Sequence, residues 1–237
     1  MVFVVVFAQL LIELGHEKNE FLGIHLELLL NKKDEYGKYI ICYAAVSKAV
    51  EISFIRFEKY YRSWKDEPFW FTCEDNLRMK PLDYAVENGQ IECVKYLIDR
   101  LPTKNYLTSQ SADINDRSCF IHAIMGGNLS CVKVSLRILA EFKNEFKMIH
   151  EWATKADFGY VLKNPDWKGK SPVHYAVLGE NPEILHFLLE HKFQAHKQEE
   201  TDGLTPLALA AKLGKFELVP SVAQLGILCI NMIRSTN

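Results

Sequence analysis

The fold is decided by the stretch Asp166-Trp167-Lys168-Gly169-Lys170-Ser171-Pro172-Val173-His174-Tyr175-Ala176-Val177-Leu178-Gly179-Glu180-Asn181-Pro182-Glu183-Ile184-Leu185-His186-Phe187-Leu188-Leu189. Asp166 and Gly169 form a turn. Ser171-Pro172 can start a helix: Ser accepts from free amides at the N-cap, and Pro at the first helical position loses no needed N–H. Apolar residues follow at helical spacing as far as Val177. Asn181-Pro182 restarts the pattern, and Ile184, Leu185, Leu188 and Leu189 give a second apolar stripe. The unit is turn, helix, turn, helix.

The unit recurs. The small residue that closes the first helix, Ala176 here, serves as a ruler. It returns at Ala210 in Leu204-Thr205-Pro206-Leu207-Ala208-Leu209-Ala210, and at Ala85 in Lys80-Pro81-Leu82-Asp83-Tyr84-Ala85. Looser copies place it at Ala123, at Ala44 and, with Gly15-His16 as the following turn, at Leu11. An acid stands ten residues before the ruler at Asp34, Asp75, Asp113, Asp166 and Glu200. Gly stands seven before it at Gly37, Gly169 and Gly203, and four after it at Gly89, Gly127 and Gly214. The spacings between rulers are 33, 41, 38, 53 and 34 residues. The Ser-Pro-Val-His-Tyr-Ala string resembles the Thr-Pro-Leu-His-x-Ala signature of the ankyrin repeat, whose period is about 33 residues.

The resemblance implies an all-α fold, a solenoid of stacked helix-turn-helix units joined by hairpin-like loops, with about six repeats and helical insertions. The expected repeats are 1–33, 34–74, 75–112, 113–165, 166–199 and 200–237, forming a single domain over residues 1–237. Two insertions stand out. Residues 54–71 carry Phe54, Phe57, Tyr61 and Trp64 on one helical face, interleaved with Lys and Arg, which reads as an enlarged apolar helix or a protein-binding patch. Residues 139–162 place Phe142, Phe146, Ile149 and Trp152 at helical spacing.

Composition narrows the class. Hydrophobic residues make up 49% of the 237, which suits a folded chain. The net charge is -2 and no long basic run occurs, so nucleic-acid binding is not indicated. The six cysteines have no metal or redox spacing, and they read as buried, reduced thiols in a cytoplasmic protein. Met1 to Leu14 is apolar, but no basic residue precedes it and it is too short to span a bilayer. It reads as a worn N-terminal helix. The apolar ending, Ile227 to Ile233, does not look like a polar cap, so the array is expected to continue in a longer chain or the tail to fold back.

Chemistry-bearing motifs are sparse. Asp157-Phe158-Gly159 matches a kinase metal-binding tripeptide without the glycine-rich or catalytic loops that would give it meaning. His186, His191 and His196 are five residues apart and share no helix face. His174 occupies the signature's His position, where the resemblance implies a structural link between neighbouring turns. We therefore expect no catalytic, cofactor or metal site.

The resemblance implies a protein–protein interaction module: a scaffold, adaptor or inhibitor gripping its partner through loop tips (the fingers) and the concave face of the first helices (the palm). Such a chain would be a monomer that contacts neither nucleic acid nor membrane. Irregular arrays also resemble those of intracellular bacterial and viral effectors, which act on a protein in the host cytoplasm. The alternative is the ankyrin portion of a larger enzyme or effector whose catalytic domain lies elsewhere. The fingers are Glu35, Tyr36 and Lys38; Asn76, Leu77 and Met79; Ile114, Asn115 and Arg117; Trp167, Lys168 and Lys170; Thr201, Asp202 and Leu204. The palm contains Glu87, Asn88, Met125, Leu178, Lys212 and Leu213. From these, the expected partner-binding residues are Tyr36, Lys38, Asn76, Met79, Glu87, Asn88, Asn115, Arg117, Met125, Trp167, Lys168, Lys170, Asp202 and Leu204. Trp167 is either an interface anchor or a side chain resting on the preceding insertion near Phe158 or Tyr160.

Overall fold

A computed structural model describes residues 32–46, 72–100, 112–137, 166–191, 193, 198–215 and 217–218. The expectations for residues 1–31 and the two aromatic insertions, for Asp157-Phe158-Gly159, His196 and Cys229, and for the C-terminal tail lie outside them. Among the described residues there are helices and turns and no strand. The chain divides into two compact units, Met1–Tyr106 and Leu107–Asn237.

In the first unit, α1 (Ile40–Val46) packs on α2 (Pro81–Glu87), which packs on α3 (Ile91–Arg100). In the second unit, α4 (Cys119–Met125) leads into α5 (129–137), followed by α6 (Pro172–Leu178), α7 (Pro182–Glu190) and α8 (Pro206–Lys212). Helix α6 is central, touching α4, α7 and α8. Its buried Val173, Ala176 and Val177 meet Ile184, Leu185 and Leu188 of the same core, and Phe120 of α4 stacks on Phe193 at 5.6 Å. The ruler residues Ala44, Ala85, Ala123, Ala176 and Ala210 are all buried. A methyl group lets neighbouring helices approach closely, where a longer side chain would force them apart.

The recurring acid is explained by the finger it builds. Asp34, Asp75, Asp113 and Asp166 each accept, through Oδ1, the backbone N–H groups two and four residues on, at 2.8–2.9 Å. This is an Asx turn that stands in for backbone hydrogen bonding. The residue three after the acid takes left-handed φ: 76° at Gly37, 59° at Arg78, 56° at Asp116 and 77° at Gly169. The ruler-plus-four position is also left-handed, at Gly89, Gly127, Glu180 and Gly214. Arg78, Asp116 and Glu180 thus occupy slots that suit glycine. Arg78→Gly and Glu180→Gly should each stabilise the chain by about 0.5–1 kcal/mol, since a left-handed L-residue costs more than the added glycine entropy. The exposed pair of Arg78 with Glu74 is too weak to reverse that sign, and on loss of the exposed Glu180 carboxylate the Lys215 ammonium keeps its bonds to the Val177 and Leu178 carbonyls. Urea unfolding midpoints below wild type would refute it.

The last finger needs a correction. The N–H one residue after Asp75 and after Asp166 donates to the carbonyl of the preceding described finger of its unit: Asn76 to Tyr36 at 3.1 Å and Trp167 to Asn115 at 3.2 Å. In the last finger that donor is Glu200, bonded to Lys168 at 2.8 Å. Glu199, and not Glu200, therefore fills the acid slot, and it is buried while Glu200 is exposed. This finger is one residue longer, because the Glu199 N–H closes on Leu204 five residues on, where the others close four residues on.

Candidate partner-binding surface

The second oxygen of each acid reaches into the stack. Tyr43, Tyr84 and Tyr175, each nine residues after its acid, donate their hydroxyls to Oδ2 of Asp34, Asp75 and Asp166. The bond to Asp34, followed by burial, pushes the Tyr43 phenol up to about 12. Burial first, then the carboxylate, raises Tyr84 and Tyr175. These tyrosines escaped the sequence reading, although their constant offset from the acid was visible there. In the repeat led by Asp113, His122 takes the position, with Nε2 3.4 Å from Asp113 Oδ2. Arg117 closes on the same oxygen through Nη2 at 2.6 Å and Nε at 2.8 Å. Burial works to raise the Asp113 carboxyl, but His122, Arg117 and the turn amides outweigh it and hold it well below the carboxylate range.

His174 links neighbouring repeats, as the signature implies. Its Nδ1 accepts the Ser171 N–H at 3.0 Å, which leaves the proton on Nε2, 3.0 Å from the Leu204 carbonyl in the next finger. The imidazole is fully buried and neutral; burial lowers its pKa against the opposing pull of the Leu204 bond. Because the folded value is depressed, the unfolded chain binds the proton more readily. The stabilising link is complete above the free-His value of about 6.5 and weakens as pH falls below it. The stability advantage of wild type over His174→Gln should therefore shrink between pH 7 and 5 in thermal unfolding. A constant advantage would contradict the neutral tautomer.

The structure sorts the expected surface residues into free and committed groups. Met79 is corrected: it is 5% exposed and lies in the core, because the residue four after the acid points into the stack and not off the finger. The same position turns Arg117 onto Asp113 and places Lys170 Nζ 2.8 Å from the buried Glu199 carboxylate. Leu204 is half-buried and gives its carbonyl to His174. Asn76 reaches the Glu35 carbonyl, Asn88 caps α2 on Tyr84, and Asp202 pairs with Lys212. Glu87, Met125 and Lys168 are half-buried. Tyr36 is 59% exposed, and Lys38 is half-buried among tyrosine rings.

Among the described residues, exposed large apolar groups occur in both units: Tyr36 and Leu77 in the first, four others in the second. Trp167 is 56% and Ile114 50% exposed, at equivalent positions of adjacent fingers, and Leu178 and Leu213 are exposed in the palm. Trp167 is nevertheless fixed. Its indole N–H donates to Asn115 Oδ1 at 3.1 Å, its backbone N–H donates to the Asn115 carbonyl, and Lys168 Nζ sits 4.8 Å above its ring. The unit also carries an open groove of about 390 Å³ between α5 and α7, where Lys133 lies over Phe187.

Residues 136–231 match a family described as ankyrin repeats (3 copies). These residues carry ankyrin repeats. The match takes in the last two fingers, the ruler residues Ala176 and Ala210 and the His174 link. The chain is also similar to a protein of Arabidopsis thaliana that carries the name E3 ubiquitin-protein ligase XBAT31, at 28% identity over 166 residues. That match covers 68% of the present chain and 31% of the plant protein, so the chain spans under a third of that relative's length. Among the described residues no helix is long and apolar enough to cross a membrane, and no group of three metal-ligating side chains occurs. The cysteines described, Cys42, Cys73, Cys93, Cys119 and Cys131, are buried and in no disulfide.

Proposed function

We propose that this chain binds another protein through the fingers of its second unit, with Trp167 as the anchor. The observation that carries this reading is a large aromatic side chain that is exposed yet held in place. An anchor whose rotamer is already set loses little entropy on binding, and Trp is the residue type richest in binding energy at interfaces. Ile114 extends the apolar tip, and Leu178 and Leu213 supply apolar palm surface. Lys170 and Arg117 contribute shape, their charges being committed internally. On this reading the chain acts as a cytoplasmic scaffold, adaptor or inhibitor and performs no chemistry of its own.

The test compares proteins captured by wild type with those captured by Trp167→Ala and by Lys133→Ala in the groove between α5 and α7. Partners lost only with Trp167→Ala support the finger ridge; partners lost only with Lys133→Ala move the interface to the groove. A second reading places these repeats as the recognition part of a larger enzyme. It is favoured by the short share of the ligase relative that the chain covers. Sequencing the full transcript decides it, since a downstream catalytic domain is required.

A further inference from the structure

The first unit holds an arrangement that the finger ridge of the second does not use. Lys38 Nζ lies 4.6 Å from the ring centre of Tyr84 and 5.9 Å from those of Tyr36 and Tyr43. Three rings from two successive repeats thus surround one ammonium. Two are clamped, with the Tyr43 hydroxyl on Asp34 and the Tyr84 hydroxyl on Asp75. The third is tied through its backbone, since the Tyr36 carbonyl accepts the Asn76 N–H at 3.1 Å. Tyr36 is 59% exposed, so the cluster opens to solvent at a fingertip.

We propose that Tyr36, Tyr43 and Tyr84 form a recognition cage for the quaternary ammonium of a trimethylated lysine on another protein, with Lys38 as an intramolecular stopper. Aromatic faces attract cations, and the attraction grows as the cation sheds water. A primary ammonium on a flexible stem is compact and strongly hydrated, so Lys38 gives up little by swinging into solvent. A trimethylammonium group spreads the same charge over methyl groups that fit against rings. The setting selects the source of that cation: the cluster opens on a finger, the kind of surface by which ankyrin repeats grip other proteins, and a lysine's long stem can carry the cation to it. The charges beside the opening are of both signs, Asp34 and Glu35 with Lys32 and Lys33, all exposed.

The test titrates the full chain with a trimethyllysine peptide, the same peptide unmethylated, and phosphocholine vesicles, read by calorimetry and by NMR shifts at Tyr36 and Tyr43. Wild type should bind the methylated peptide about tenfold more tightly than the unmethylated one, and Tyr36→Ala should lose about the same factor. Lys38→Ala, or Lys38→Gln should the first variant unfold, should tighten binding by removing the stopper. Equal binding of both peptides, preference for vesicles, or no gain on removing Lys38 would overturn the proposal. Trp167→Ala should leave this binding unchanged, which keeps the outcome separate from that of the finger ridge.

Discussion

Replacing Trp167 with alanine should weaken partner binding by about 2 kcal/mol or more, roughly thirtyfold in Kd, because a buried interface Trp typically costs that much on truncation. The melting temperature should barely move. More than half of the side chain faces solvent, and surface changes of this kind stay within about 0.5 kcal/mol. Trp167→Phe refines the test: it keeps an aromatic anchor but drops the indole donor to Asn115. If that bond sets the rotamer, Phe should recover only part of the affinity. Calorimetry against the captured partner, beside thermal unfolding of each variant, checks both halves. A large loss of stability with binding intact would mean that Trp167 packs on its own chain and anchors nothing.

The second large effect concerns the acid beneath that tryptophan. Asp166→Ala should destabilise the second unit by about 3 kcal/mol or more, since each buried polar group left without a partner costs about 1–3 kcal/mol. Three groups lose their acceptor at once: the N–H of Lys168, the N–H of Lys170 and the hydroxyl of Tyr175. Asp34 makes the same three bonds from an exposed site. Water can replace it there, so Asp34→Ala should cost under about 1 kcal/mol. Urea unfolding gives the totals, and hydrogen exchange at the Lys168 and Lys170 amides locates the loss. Equal costs at both sites would show that burial is not what sets the magnitude. Asp166→Ala should also loosen the Trp167 finger, coupling the stability of this turn to binding.

How much of this was legible without coordinates differs from residue to residue. The helices of the second unit follow from local signals: Ser171-Pro172, Asn181-Pro182 and Thr205-Pro206 open α6, α7 and α8 where their capping chemistry requires. The turn glycines were readable because a left-handed φ is a single-residue demand. The ruler alanines and the role of His174 followed from the repeat itself. Less legible was the direction of each finger side chain. Met79, Arg117, Lys170 and Lys38 share one position, yet one lies in the core, two neutralise buried acids and one enters a ring of tyrosines.

The sequence by itself determined that the chain is built of helix pairs and that an acid-led turn joins them, because spacing, capping and backbone conformation act over a few neighbouring residues. Only the tertiary structure decided that Glu199 replaces Glu200 in the last finger, that Met79 is buried and that Trp167 is exposed but held. Burial and inter-finger bonding depend on residues 32 to 52 positions away, and no local pattern encodes which of two adjacent glutamates the next finger will meet.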